Sequence, residues 1–222
     1  MSRRRLILVR HGRVDFDSRR FVDTPLGRQW DPPLDALGLD QAERLGLSLA
    51  ESDPPSAILV SPLTRCRQTL APYERITGAR PEVVDGLREV FTGRWEGMRF
   101  EDILSEDEEV ARKFREQEAT FSMSPGGESG AELRSRVVPA IEAALDGSDA
   151  DVLVVTHGGV INAYLGHIMG VAHDMFYLPE NTSLNTVTVD GDRREMRFLN
   201  DVRHLTDFAV PASAADEPPD RA

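Results

Sequence analysis

The chain reads as short hydrophobic runs separated by amphipathic segments. Leu6-Ile7-Leu8-Val9 is the first run, four apolar residues of which two are β-branched, and it has the length and composition of a buried strand. From Leu34 the pattern becomes helical, with Leu39, Ala42, Leu45 and Leu49 at helical spacing until Asp53-Pro54-Pro55 stops it. Ala57-Ile58-Leu59-Val60 is a second short strand. Ser61 and Pro62 behind it read as the cap and first residue of a helix to about Ile76. Pro81 to Asp85 is a weaker strand, and Leu87 to Gly97 a loop. A charged helix from about Glu106 follows, with Ser105 and Glu108 in a capping-box pattern. The Ser124 to Ser129 turn leads into a helix whose apolar face is Leu133, Val137, Ile141 and Leu145, with Pro139 as a point of bending. Val152-Leu153-Val154-Val155 is the strongest strand, and the helix after it runs to about Met169. Ser183 to Asp190 and Glu195 to Asn200 read as a hairpin.

Strands alternating with helices predict a three-layer α/β/α sandwich with a mostly parallel central sheet. The pattern predicts one domain over residues 1–208, with about 98–130 as a cap or lid insertion, and a disordered tail over 209–222, rich in Pro, Ala and Asp. Arg13 to Pro33 reads as one long irregular loop, either functional or simply solvated.

At 222 residues the chain is long enough to bury a sizeable core. Its formal net charge of -12 argues against a nucleic-acid or anionic-membrane surface and makes any local cluster of arginines informative. One cysteine, Cys66, rules out an internal disulfide and fits a reducing compartment. The apolar run after Met1-Ser2-Arg3-Arg4-Arg5 is too short for a signal peptide, and no stretch is long enough to span a bilayer, so a cytoplasmic protein is expected.

The chemistry lies where strands end. The first strand breaks into Arg10-His11-Gly12, the second leads to Arg65, and the strongest breaks into Thr156-His157-Gly158-Gly159. In parallel α/β sheets ligands bind beyond the carboxyl ends of the strands, so this architecture gathers two imidazoles and two guanidiniums in one crevice. A phosphate monoester needs its oxygens neutralised and a nucleophile in line with the leaving oxygen. Arg10 and Arg65 suit the first task through paired donors, with His157 as a third donor. A neutral His11 suits the second. Nearby positive charge lowers its pKa, and an acceptor on its other ring nitrogen, most simply a backbone carbonyl, fixes the tautomer. Gly12 permits close approach of a ligand to the backbone. Arg13 and Arg20 from the following loop, and Gly158, are further candidates for phosphate binding. Cys66, His167, His173 and His204 read as packing or surface residues, and Tyr164 and Trp30 as either pocket or core.

Arg10-His11-Gly12, Ser61-Pro62-Leu63-Thr64-Arg65 and Thr156-His157-Gly158-Gly159 together resemble the histidine phosphatase superfamily, the phosphoglycerate mutase-like proteins. Pro33 to Ala42, the Leu87 to Gly97 segment with its Gly-Arg-Trp-Glu-Gly, and Pro125-Gly126-Gly127-Glu128-Ser129 extend the resemblance over roughly Leu6 to Asn200. The resemblance implies a phosphohistidine on His11, a phosphoryl group held by Arg10, Arg65 and His157, and Glu89 as proton donor, with no metal or other cofactor. Glu96, the rival acid, follows Trp95 and precedes a turn glycine, which favours a structural role. The expected reaction is hydrolysis of a small phosphate ester. Phosphoproteins stay open as substrates and a dimer as the oligomeric state. The alternatives are a mutase-type isomerase and a phosphate-binding protein that has lost turnover.

Three departures from the family pattern bear on the substrate pocket. Arg13-Val14-Asp15-Phe16-Asp17 stands where the family has Glu-Thr-x-Trp-Asn, and Asp17 repels a dianion unless it turns away or pairs with Arg13 or Arg20. The loop to Pro33 is longer than is common. Asn162 stands where many members have Arg.

Overall fold

The computed structural model describes residues 3–106, 108–116 and 121–206, so the expected tail over 209–222 lies outside the described residues. Six strands form the central sheet: β1 (Arg4–Arg10), β4 (Ala57–Val60), β5 (Glu82–Val83), β6 (Val152–Thr156), β7 (Leu184–Asp190) and β8 (Arg193–Asp201). Their spatial order is β5-β4-β6-β1-β7-β8. The first four of these run parallel, and the β7–β8 hairpin adds antiparallel strands beside β1.

Side chains alternate across the sheet and so sort into two layers. Leu6, Leu8, Val152 and Val154 pack with Leu133, Val137, Ile141 and Leu145 of α5 (Gly130–Asp146) and with Val160, Ile161 and Tyr164 of α6 (Gly158–Met169). Val9, Leu153 and Val155 pack on the other side with Leu45 and Leu49 of α1 (Ala36–Ala50) and with Cys66, Leu70 and Tyr73 of α2 (Thr64–Thr77). All four predicted apolar positions of α5 are fully buried, and Ser129 and Glu132 close a capping box at its start. Among the described residues no helix is long and apolar enough to cross a membrane.

Several local expectations are corrected. The stretch from Arg13 to Pro33 is not all loop: β2 (Phe21–Thr24) and β3 (Gly27–Trp30) pair as a separate antiparallel hairpin. Its strands are four residues long and β3 buries a glutamine, so neither length nor alternation marks them in sequence. Gly27 turns the hairpin at φ +136°, a conformation that favours glycine. Leu39 is exposed, and α1 instead buries Gly38 and Gly46 beside its larger apolar residues. Ser61 does not cap α2, which begins three residues later. The backbone N–H and hydroxyl of Thr64 both donate to the carboxylate of Asp31 at 2.7 Å, so the helix is capped from a distant segment. The charged helix is two short helices, α3 (Phe100–Glu106) and α4 (Glu108–Arg115). Ser105 lies inside α3 and donates to the Asp102 carbonyl, so the expected capping box is not formed.

Candidate active site

Strand register explains why distant residues meet. Arg10 lies opposite Thr156 in the parallel β1–β6 pair, so His11 and His157, one residue on, leave adjacent strands side by side with ring centroids 5.2 Å apart. His11 N–H continues the ladder to the Thr156 carbonyl at 2.9 Å. Arg65 comes from the first turn of α2, one strand further along. Arg10, His11, Arg65 and Glu89 all line one cavity of about 680 Å³, a volume usual for a small-molecule site.

His11 Nδ1 lies 2.8 Å from the Gly12 carbonyl oxygen. The carbonyl only accepts, so Nδ1 carries the proton and the lone pair stays on Nε2. Burial, then the charges of Arg65 and Arg10, hold its pKa well below the usual histidine value, so the ring is neutral at pH 7. The backbone around it is fixed from the strap before β7. Thr182 N–H donates to the carbonyls of Arg10 and His11, and the Asn181 amide to that of His11. Thr182 adopts a left-handed φ of +59° to do so. Arg10 Nη1 donates to the Pro179 carbonyl at 2.5 Å, while its Nε is buried with no protein partner.

Arg65 Nη1 donates to the Trp30 carbonyl and its Nε to His157 Nδ1, both at 3.2 Å. With Nδ1 accepting, His157 carries its proton on Nε2, 2.7 Å from the Ser61 hydroxyl. Burial first, then Arg65 and the neighbouring charges, lowers the pKa of this ring too. Both nitrogens are therefore engaged within the protein and the ring does not line the cavity. The ring buttresses Arg65, and Arg10 and Arg65 are the groups that reach the cavity.

Glu89 places one carboxylate oxygen 2.9 Å from the Val90 N–H and the other 3.4 Å from the Gly159 N–H at the start of α6. A Cβ on Gly159 would come within 2.5 Å of that carboxylate, so only glycine lets Glu89 sit there. Its loop is buckled by Arg136, which donates to the carbonyls of Gly86, Arg88 and Glu89 and forks onto Glu128. Glu96 accepts from Thr92 and from the Trp30 N–H at 2.7 Å, an arrangement that pins the Trp30 and Trp95 segments together; burial pushes its carboxyl above the ordinary value. Arg136, Asp31 and the Asn181–Thr182 strap carry no local motif that a single sequence would mark.

The other expected phosphate ligands are not brought to the cavity. Arg13 pairs with Asp35 at 2.5 Å and Arg20 with Asp31 at 3.4 Å; both side chains are about half exposed and neither lines the cavity. Gly12 N–H donates to Thr69, and a Cβ at Gly12 would meet the Gly38 carbonyl at 2.8 Å, so this glycine serves helix approach. Gly158 opens α6 and does not line the cavity. Asp17 does turn away, but onto Arg99 at 2.6 Å, not onto Arg13 or Arg20. Asn162 clamps the 176–177 backbone by accepting from Phe176 and Tyr177 N–H and donating to the Tyr177 carbonyl. Cys66 is buried and its thiol pKa is raised by that burial, and Tyr164 is core, while Trp30 lines the cavity. Among the described residues no group of three or more His, Cys, Asp or Glu converges as a metal site.

Comparison with known proteins adds the following. A model of the histidine phosphatase superfamily, branch 1, matches residues 6–202. The chain is similar to a metal-independent phosphoserine phosphatase of Arabidopsis thaliana, 27% identical over 204 residues that cover 90% of this chain and 83% of the relative. It is similar also to a glucosyl-3-phosphoglycerate phosphatase of Mycobacterium tuberculosis, 31% identical over 172 residues, 73% of this chain and 74% of the relative. Among solved structures, Bacillus stearothermophilus YhfR superposes with a TM-score of 0.75 at 26% identity, covering 90% of this chain and 98% of that one.

Proposed function

The chain belongs to the histidine phosphatase superfamily, and from that premise we propose that it is a phosphomonoesterase working through a phosphohistidine on His11. The observation that carries this reading is the Nδ1–H bond to Gly12, which leaves a neutral ring with its lone pair on Nε2 between Arg10 and Arg65. Nε2 attacks phosphorus, the bond to the ester oxygen breaks, and Glu89 in its acid form gives that oxygen a proton. Water then attacks the phosphohistidine, Glu89 takes the proton back, and phosphate leaves with His11 restored. Arg10 and Arg65 neutralise the equatorial oxygens throughout. His157 holds the Arg65 guanidinium, and residues about 98–130 serve as a cap, a reading supported by Met98, Arg99 and Ile103 on the cavity wall. The substrate is a small-molecule ester, as the names of both phosphatase relatives indicate for those proteins. The lone buried cysteine supports a cytoplasmic location.

Rapid quench during turnover tests the reading. Phosphate trapped on the protein, labile in acid and stable in base, is expected with the native chain and absent from His11→Ala, which should also lose turnover while keeping the fold. Label that persists in His11→Ala, or that maps to Cys66, would overturn the assignment of the nucleophile.

A further inference from the structure

Both tryptophans of the chain, Trp30 and Trp95, lie on the wall of the cavity that holds His11, and Phe16, Met98 and Ile103 share that wall. The Phe16 ring stands 5.9 Å from that of Trp30, tilted by 34°, yet 59% of Phe16 is exposed. Trp30 is held in place by Glu96 on its backbone N–H and by the Ser18 carbonyl on its indole N–H. Gly97, at φ +73°, lets its backbone pack directly against Trp30 and Phe21, since a Cβ there would come within 3.2 Å and 3.0 Å of their rings. A substrate that filled only the phosphoryl position would leave this apolar wall wet.

The charges on the wall point the same way. Apart from Arg10 and Arg65, the only cation among the described residues lining the cavity is Arg99, and it is committed to Asp17. Glu96 and Glu101 line the same wall. A second acidic group on the substrate would meet carboxylates and a guanidinium that Asp17 already pairs through one nitrogen.

Resting on the phosphatase reading above, we infer that the substrates of this site are phosphomonoesters of uncharged alcohols that carry a flat apolar ring, which lies against Phe16, Trp30 and Trp95. Esters bearing a further carboxylate are selected against by Asp17, which keeps Arg99 from them.

Three esters of primary alcohols with similarly basic leaving oxygens separate recognition from intrinsic reactivity: ethyl phosphate, 2-(1-naphthyl)ethyl phosphate and 3-phosphooxypropanoate. Burying the ring should raise kcat/KM for the naphthyl ester over ethyl phosphate on the order of 10²-fold. The carboxylate ester should fall at or below ethyl phosphate. Phe16→Ala should shrink the naphthyl-to-ethyl ratio about tenfold, and Phe16→Tyr should retain it. Asp17→Asn should raise the carboxylate ester relative to ethyl phosphate by about threefold or more. The corresponding naphthylethyl phosphonate should change tryptophan emission saturably and bind far more tightly than methylphosphonate. Naphthyl and ethyl esters turned over within threefold of each other, or a carboxylate ester preferred by the native protein, would overturn the inference and leave the phosphatase reading standing. Absence of turnover and of phosphohistidine with every ester defeats the phosphatase reading; phosphonate binding still decides the ring site, and equal affinity for the two phosphonates sinks it.

Discussion

His11 donates its Nδ1 proton to the Gly12 carbonyl, and a histidine so bonded keeps its free electron pair on Nε2. That single backbone acceptor settles which nitrogen can attack phosphorus, and it is the acceptor that the chemistry of the strand end demands in advance. Glu89 is a different case. Its place in the sequence is marked only by the family pattern, and what holds it, the open space at Gly159 and the Arg136 buckle, is visible only in three dimensions. Arg13 and Arg20 are held away from the cavity for an equally physical reason: a guanidinium is drawn to a neighbouring carboxylate, here Asp35 and Asp31. If Glu89 is the proton donor, its importance depends on how much the leaving oxygen needs a proton. Glu89→Gln should cost on the order of 10²–10⁴ in the phosphoryl-transfer step with an alkyl ester and far less with an aryl ester of an acidic phenol. Glu96→Gln should show no such dependence on the leaving group, and equal losses on both esters for Glu89→Gln would assign it to positioning.

At the scale of elements, the strands and the helices with a clear apolar face are legible because burial imposes a period. Leu6–Val9, Val152–Val155 and the Leu133/Val137/Ile141/Leu145 stripe all lie where the pattern puts them. What the pattern misses is stabilised by contacts between distant segments. The β2–β3 hairpin shows no clean alternation, yet it leads directly into Asp31, which caps α2 from outside, and α2 in turn carries Arg65. Ser61, the residue that looked like the cap, is free to meet His157. A cap that satisfies two donors of a helix bearing the guanidinium proposed to hold the phosphoryl group should matter twice over. Asp31→Ala should lower stability in denaturant titrations by about 1–2 kcal/mol, and because Arg65 moves with its helix, kcat should fall alongside. Asp31→Asn retains an acceptor and should recover most of both. A loss of stability with kcat unchanged would separate the cap from the site.

Over the whole molecule, the distribution of charge decides how the protein answers to its surroundings. An acidic chain with a net charge of -12 concentrates Arg10 and Arg65 at the mouth of two buried neutral histidines. If those guanidiniums neutralise the phosphoryl oxygens, a strong chelator should leave the rate unchanged; loss on chelation, restored by a divalent ion, would move the reaction to a metal-assisted class. The same arrangement sets a pH dependence of folding. His11 and His157 both have folded pKa values well below 6.5, whereas in the unfolded chain they titrate near their ordinary value. Below about pH 6.5 the unfolded state therefore binds more protons than the folded one, and stability rises with pH through that window. The contribution is fully present above the unfolded pKa and is lost as pH falls, by up to about 1.4 kcal/mol per pH unit for each neutral ring. Carboxylates titrate lower and add their own slope, so the comparison must be between variants. The unfolding free energy of the native chain and of His11→Gln, each followed from pH 7 to pH 5, should differ in slope by about one proton, with the variant the flatter. Parallel slopes would mean that His11 binds its proton as readily in the folded protein as in the unfolded chain, and that the fold is not what keeps the nucleophile neutral.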